Sequence, residues 1–469
     1  MQQALHSRYN PSGEAERYLD SLDLGPDIRF FILIEPGMGY LVAPLRLKFP
    51  KSKIISLHAK GAPEKVLNEN RPDAFWHTGT SKSLRDFLEQ EINDTEARLI
   101  KIIEWRPAMA IFKEAYLFLL SESLEFLKQA DASARTLKQF GQKWFKNFFK
   151  NLIISTELFY PIPFSFPIII TGAGPSLEET IPLIRKERNN LLLMGVSSSV
   201  AALKAGGLEP DIIVSSDGGN WALLHLYECI RGKEKAKFAI TLNAALPSQC
   251  NNSSFLLISD GSLWQELILR RLGLPFIVLP ERGTVSAAAL DLAFALTDDM
   301  VFLTGVDLSH KDIQTHARPY SFDRIWEEKA GRFLPAYSQV FTRSGLIRTG
   351  GSNDIYASWF NRQLAAYPKR LFSLGANNPV FQAHKTSTFN SKKGEKNKPI
   401  WKTFSVNFQN NSIKEVILYL NSALKNPLYT TKLTEELSPL IIPGKTHASK
   451  EELSESILSL TQPFLRTYG

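Results

Sequence analysis

The chain has little cysteine: two residues, Cys229 and Cys250, among 469. That excludes a disulfide framework and fits a reducing, cytoplasmic location, with both thiols read as small buried hydrophobes. No uninterrupted apolar run reaches transmembrane length, so no membrane span is expected. The opening stretch MQQALHSRYNPSGEAERYL lacks the basic-then-apolar layout of a secretion signal. No HExxH or CxxC spacing occurs, and no metal site is assigned. Asp217, Asp260 and Asp307 would hold a hard cation only by converging, and the need for a divalent metal stays open. The glycine turn GAGPSL, from Gly172 to Leu177, is not followed by Gly-Lys-Ser/Thr, so it is not a Walker A loop. The net charge is +8, but the basic residues are spread out. The densest run, Ser391 to Pro399, reads as a solvated linker. No RNA- or DNA-binding motif accompanies it, and no nucleic-acid partner is expected.

A hydrophobic content of 44% and a charged content of 22% are those of an ordinary globular protein. The stretch from Phe166 to Asp217 is the most informative. It reads as strand, glycine-rich turn, helix, strand, serine-rich turn, short helix and a strand ending in a carboxylate. The turn Gly172-Ala173-Gly174-Pro175-Ser176 allows close approach of an anion, and the following helix points its unpaired N–H groups there. Pro175 suits the first helical position. Leu177 stands where a dinucleotide fingerprint has its third glycine. The same turn also serves as a tight strand-to-helix connection in any doubly wound sheet, so both readings stand.

The fold class expected is α/β: a central doubly wound, Rossmann-like domain with a smaller N-terminal α/β domain and a helical C-terminal domain. The boundaries are 1–155, 156–385 and 386–469. The first part has strands at Ile28–Glu35 and Lys53–His58, then helix. Phe140, Trp144, Phe148 and Leu152 recur at four-residue spacing, as on one buried helix face. Tyr160 to Phe164 reads as a linker. Strands in the second part are expected at Phe238–Leu242, Phe255–Ser259, Phe276–Leu279 and Met300–Val306, in a mostly parallel sheet. The third part shows helical spacing throughout.

Ligands of such sheets bind beyond the carboxyl ends of the strands. Those ends carry Gly172, Gly174, Pro175 and Ser176; Ser197 and Ser198; Asp217; Asp260; Gly283 and Thr284; and Asp307. This set suits an oxygen-rich polar ligand, although each residue also suits a helix N-cap. The segment from Leu303 to His310, then Gln314 to Tyr320, is the catalytic candidate. It gathers Asp307, His310, His316, Arg318 and Tyr320. A histidine can deprotonate a hydroxyl near neutral pH, and arginine and tyrosine can stabilise a departing phosphate. The plain alternative is a loop histidine satisfied by a backbone carbonyl.

The order of several short stretches resembles the motility accessory factor (Maf) family of bacterial flagellin glycosyltransferases, whose core domain also occurs in archaeal hydroxymethylpterin diphosphokinases. They are Ser7-Arg8-Tyr9-Asn10-Pro11, Pro36-Gly37-Met38-Gly39-Tyr40, Trp144-Phe145-Lys146-Asn147, the GAGPSL turn, Pro210-Asp211 through Asp217, Gly283-Thr284-Val285, and Gly305-Val306-Asp307-Leu308 with Thr315-His316-Ala317. The resemblance covers residues 5–320. It implies a sialyltransferase-like central domain that moves a nonulosonic acid, of pseudaminic or legionaminic type, from a CMP-sugar to Ser or Thr of flagellin, in support of motility. It implies no tightly bound cofactor. Gly172 to Ser176 and the Ser197 region would cradle CMP, Asp217 would line the donor pocket, and His316 or Asp307 would serve the acceptor hydroxyl. The family commonly has Gly-Gln-Asp-Leu where this chain has Gly305-Val306-Asp307-Leu308. The alternatives are a hydroxymethylpterin diphosphokinase using ATP and Mg²⁺ and a non-catalytic flagellin-binding protein. A fourth reading, an N-terminal methyltransferase, rests on Ile34-Glu35-Pro36-Gly37-Met38-Gly39, with His58 where an acid is expected.

Overall fold

The computed structural model describes residues 4–61, 68, 70–92, 99–230, 236–309, 314–335, 352–374, 385–386, 399–406 and 412–468. His310 and most of the basic run, 391–398, lie outside them. The chain forms two compact units. One comprises Met1–Gly141 with Pro443–His447; the other comprises Gln142–Ile442 with Ala448–Gly469. The C-terminal helices therefore belong with the larger unit. The 42-residue helix Lys113–Ile154 contributes residues to both.

The first unit is built on four parallel strands: β1 (Phe30–Ile34), β2 (Lys53–His58), β3 (Ala74–His77) and β4 (Ile100–Glu104), in the order β3-β2-β1-β4. All five residues of β1 are buried, as a central strand covered on both faces requires. The Ala74–His77 and Ile100–Glu104 strands were not legible in the sequence. Both are short and flank the central pair, and only part of each is buried.

The second unit holds eleven strands among the described residues. They are β5 (Glu157–Pro161), β6 (Ile168–Thr171), β7 (Leu192–Val196), β8 (Ile212–Ser215), β9 (Lys237–Thr241), β10 (Ser254–Ser259), β11 (Phe276–Val278), β12 (Val301–Thr304), β13 (Leu371–Leu374), β14 (Lys385–Thr386) and β15 (Trp401–Ser405). The order is β14-β13-β12-β6-β7-β8-β9-β10-β5-β15, with β11 also on β10. All pairs are parallel except β15 with β5. The chain runs outward from β6 to β10 and returns to β12 on the other side of β6. The topological switch point therefore lies between β6 and β12.

The inner face of this sheet buries Ile168, Ile170, Met194, Val214, Leu256 and Leu303 against the helix Val285–Leu296. Its Ala287, Ala288 and Ala289 are buried, so the helix backbone lies close to the strands. Each fully buried aliphatic side chain contributes about 1.5–3 kcal/mol.

Two expectations need correction. Residues 160–164 are not simply a linker: Glu157–Pro161 is a strand with Leu158 and Phe159 buried, and Pro161 closes it. The stretch after 386 is not wholly helical. Trp401–Ser405 adds an antiparallel strand because Trp401 packs edge-on against Phe159, ring centroids 5.4 Å apart. The expected helices do form, at Ser412–Lys425, Thr430–Ile441 and Lys450–Tyr468.

At the switch point the turns after β6 and β12 meet backbone to backbone. A Cβ on Gly172 would overlap the carbonyl oxygen of Gly305, and one on Gly305 would overlap that of Gly172. Gly305 also has φ +63°. Gly172→Ala is expected to destabilise the second unit by about 1–3 kcal/mol through overpacking. Chemical denaturation should show a lowered midpoint, and an unchanged midpoint would contradict this contact.

Candidate functional site

The rim of the larger sheet is where the strand ends deliver polar groups. At β6 the turn does not present open amides. Gly172 N–H donates to Thr304 O at 2.7 Å, and Gly174 N–H donates to Gly305 O at 2.7 Å. Asp307, only 6% exposed, lies over the start of the helix Ser176–Glu187. Its Oδ2 accepts from Ser176 N at 2.7 Å and its Oδ1 from Ser176 Oγ at 2.5 Å. A Cβ on Gly174 would meet the same carboxylate. Pro175 is the residue immediately before the helix, in αR conformation. The anion that the helix N-terminus attracts is therefore the protein's own carboxylate. At the expected phosphate cradle, the Gly172, Gly174 and Ser176 amides are hydrogen-bonded within the fold. Asp307 thus caps the helix through Ser176.

Along the rest of the rim, Ser197 is buried in a 3-10 turn and Ser198 is half-buried. The neighbouring Ser199 makes the structural bond, with its Oγ 3.0 Å from Thr171 Oγ1. Asp217 at the end of β8 is exposed, and its Oδ1 accepts from Gly219 N at 2.7 Å. Gly283 packs under the Tyr356 ring, which leaves no room there for a side chain. Thr284 stands at the N-cap of Val285–Leu296 without a side-chain capping bond. Asp260 is enclosed by donors: Ser262 N and Oγ at 2.8 and 2.5 Å, Gln265 Nε2 at 2.8 Å and Asn243 Nδ2 at 3.2 Å. Asp260, Asn243 and Gln265, together with Ser216, Thr241 and Arg282, line a small cleft of about 30 Å³ whose walls also include Ile258 and Leu279. No group of three or more His, Cys, Asp or Glu side chains placed to hold a metal ion occurs among the described residues.

The loop carrying His316 is strapped to the start of Ser176–Glu187. Ala317 N donates to Ala173 O at 2.8 Å, while Glu178 Oε1 accepts from Gln314 Nε2 at 2.6 Å and Arg318 N at 2.7 Å. Glu178, in the first turn of that helix, thus ties the loop to it. His316 Nδ1 lies 2.9 Å from Thr315 Oγ1, and its ring stacks on Tyr320 with centroids 3.9 Å apart and planes 6° from parallel.

Tyr320 opens a continuous aromatic array. It lies 5.6 Å from both Phe322 and Trp326 and 5.2 Å from His225, while His225 and Trp221 flank Phe322 at 5.0 and 5.9 Å. Trp221 is 63% exposed, a large apolar surface beside Asp217. Lys143 Nζ reaches the same place, donating to Asn220 Oδ1 at 2.5 Å. Burial lowers its pKa, and the nearby Asp217 charge opposes that shift. Burial likewise pushes His225 down to about 4, again against Asp217. Asn147 Nδ2 fixes the β8 and β9 ends by donating to Gly218 O and Asn243 O.

Of the sequence candidates, the structure brings His316, Tyr320 and, through His225, Asp217 into one neighbourhood. It assigns Gly172, Gly174, Ser176 and Asp307 to the closed switch point. Sequence reasoning missed Trp221, His225, Phe322, Trp326 and Lys143. Their signal was aromatic residues packed densely after two strand ends, at 221–225 and 320–326.

A family model described as 6-hydroxymethylpterin diphosphokinase MptE-like matches residues 142–312. Two proteins of uncharacterised function from Treponema pallidum (strain Nichols) are similar to the chain. One is 24% identical over 283 residues, 60% of this chain and 61% of the relative; the other is 30% identical over 117 residues, 24% of this chain and 54% of the relative. The chain thus spans less than two thirds of the length of either. Among solved structures, that of the MAf glycosyltransferase from Magnetospirillum magneticum AMB-1 matches with a TM-score of 0.44 and 12% identity, over 98% of this chain and 83% of that one. No helix among the described residues is long and apolar enough to cross a membrane.

Two outcomes follow from the rim geometry. Asp307→Ala strands the Ser176 donors and should cost about 1–3 kcal/mol in a denaturation experiment. His225 stays neutral in the fold down to about pH 4, whereas in the unfolded chain it takes a proton below its ordinary value near 6.5. The unfolded state therefore binds more protons in that window, and stability falls as pH drops from 6.5 toward 4. His225→Phe should flatten the difference between midpoints at pH 7.5 and pH 5; an unaltered slope would remove His225 from it.

Proposed function

We propose that the protein is a glycosyltransferase that moves a nonulosonic acid, of pseudaminic or legionaminic type, from a CMP-activated donor to Ser or Thr hydroxyls of flagellin. The observation that carries this reading is the aromatic array over exposed Asp217 and Lys143. Flat rings with a carboxylate and a cation at their edge suit a stacked pyrimidine or sugar ring that carries hydroxyls and a phosphate. The donor then lies on the β7–β8 side of the rim, away from the Gly172 turn. The acceptor oxygen attacks the anomeric carbon and its proton passes to the His316 imidazole. The bond from that carbon to the phosphate oxygen breaks, and CMP leaves with the electron pair. Lys143, Arg318 and Tyr320 stabilise the departing phosphate.

The family model over residues 142–312 favours a second reading, pyrophosphoryl transfer from ATP to a hydroxymethylpterin. A flat pterin would use the same rings.

Purified protein given flagellin and CMP-activated nonulosonic acid should add the sugar's mass to intact flagellin. His316→Ala should slow that addition about 10²–10⁴-fold. An undiminished rate removes His316 from the chemistry. Diphosphorylation of hydroxymethylpterin by ATP, without sugar transfer, would replace the first reading by the second.

A further inference from the structure

The smaller unit has its own switch point, between β1 and β4, where an open α/β sheet takes ligands. The turn after β1 is built for close approach. Glu35 is 5% exposed yet sits at φ +48°, and Gly37 and Gly39 follow at φ +59° and +75°. Left-handed backbone at a non-glycine residue is strain of a kind that clusters at ligand sites. The crevice is filled by the chain itself. A Cβ on Gly37 would overlap His6 Nε2 and Leu5 Cδ2. The His6 ring lies 5.0 Å from Tyr40 and 5.1 Å from Trp105. Its Nε2 accepts from Met38 N at 2.9 Å, and Trp105 Nε1 donates to Leu5 O at 2.8 Å.

This filling differs from the Asp307 cap of the larger unit. Asp307 accepts at both carboxylate oxygens. His6 Nδ1 is buried with no hydrogen-bond partner among the described residues, and burial lowers the ring's pKa. Nearby, at the end of β2, His58 is 1% exposed. Its Nδ1 lies 3.8 Å from Glu35 Oε1 and makes no hydrogen bond among the described residues. Glu35 Oε2 meanwhile accepts from Ala59 N.

We infer that the β1–β4 crevice of the smaller unit is a nucleoside site, with His6 standing in for the base. A heteroaromatic base has what the imidazole supplies: a flat face for Tyr40 and Trp105, and a ring nitrogen to accept from the Met38 N–H. Unlike His6, it brings further ring and sugar groups. The ribose hydroxyls donate to the Glu35 carboxylate and pair with His58 Nδ1, which has no hydrogen bond among the described residues. The imidazole is displaced when the nucleoside enters. The site belongs to the first unit and is independent of the chemistry proposed for the second.

Adenosine is the probe, followed by titration calorimetry on the full chain. The apparent affinity scales with the fraction of open crevice, so His6→Ala should bind adenosine at least about tenfold tighter than the unsubstituted chain. Trp105→Ala in the His6→Ala background should reverse the gain. No binding heat at millimolar adenosine from folded His6→Ala protein would overturn the site. Adenine binding as tightly as adenosine would overturn the ribose contacts. Should His6→Ala not fold, hydrogen exchange of the unsubstituted chain decides. Adenosine should speed exchange in residues 5–9 and slow it in 36–40, and no change in either segment overturns the proposal.

Discussion

The contact on which the larger unit depends is the meeting of two glycine turns, Gly172 after β6 and Gly305 after β12, sealed by the Asp307 carboxylate over Ser176. In a doubly wound sheet this is where the chain reverses its direction of travel and where the two neighbouring turns diverge enough to admit a ligand. Here each glycine is needed because the other's carbonyl occupies the space of a side chain. The helix dipole and its unpaired amides are answered from within the fold.

The same helix arranges the 314–326 loop. Glu178, in the first turn of the capped helix, accepts from Gln314 and Arg318 and so fixes the stretch that presents His316 and Tyr320. The closed switch point becomes the rigid base for a loop-borne site. Tyr320 and Phe322 then meet His225 and Trp221 from the end of β8, and the aromatic surface ends at a carboxylate and an ammonium. The glycine turns thus serve packing, while the proposed recognition falls to the aromatic array.

The two units share a plan, parallel strands with a glycine turn at the reversal, yet close it differently. The larger uses a carboxylate with both oxygens satisfied. The smaller uses an imidazole with one nitrogen left over, beside a backbone strained at Glu35. The difference in hydrogen-bond completion is what makes the filling of the smaller unit the displaceable one in this proposal.

Much of the fold was legible in the amino-acid order. Apolar runs such as Phe255–Ser259, which is wholly buried as β10, leave a central parallel strand as their natural outcome, and local turn chemistry marks their ends. Strands whose pairing comes from a distant partner were not legible: Trp401–Ser405 is largely exposed and is a strand because it pairs with Glu157–Pro161, and Phe159 and Phe164 receive Trp401. At the candidate site, the sequence alone determined that small, polar residues would stand at the strand ends. Only the tertiary structure decided which of them remain available, because a glycine amide is identical in every sequence and its fate depends on which carbonyl or carboxylate the fold places 2.7 Å away.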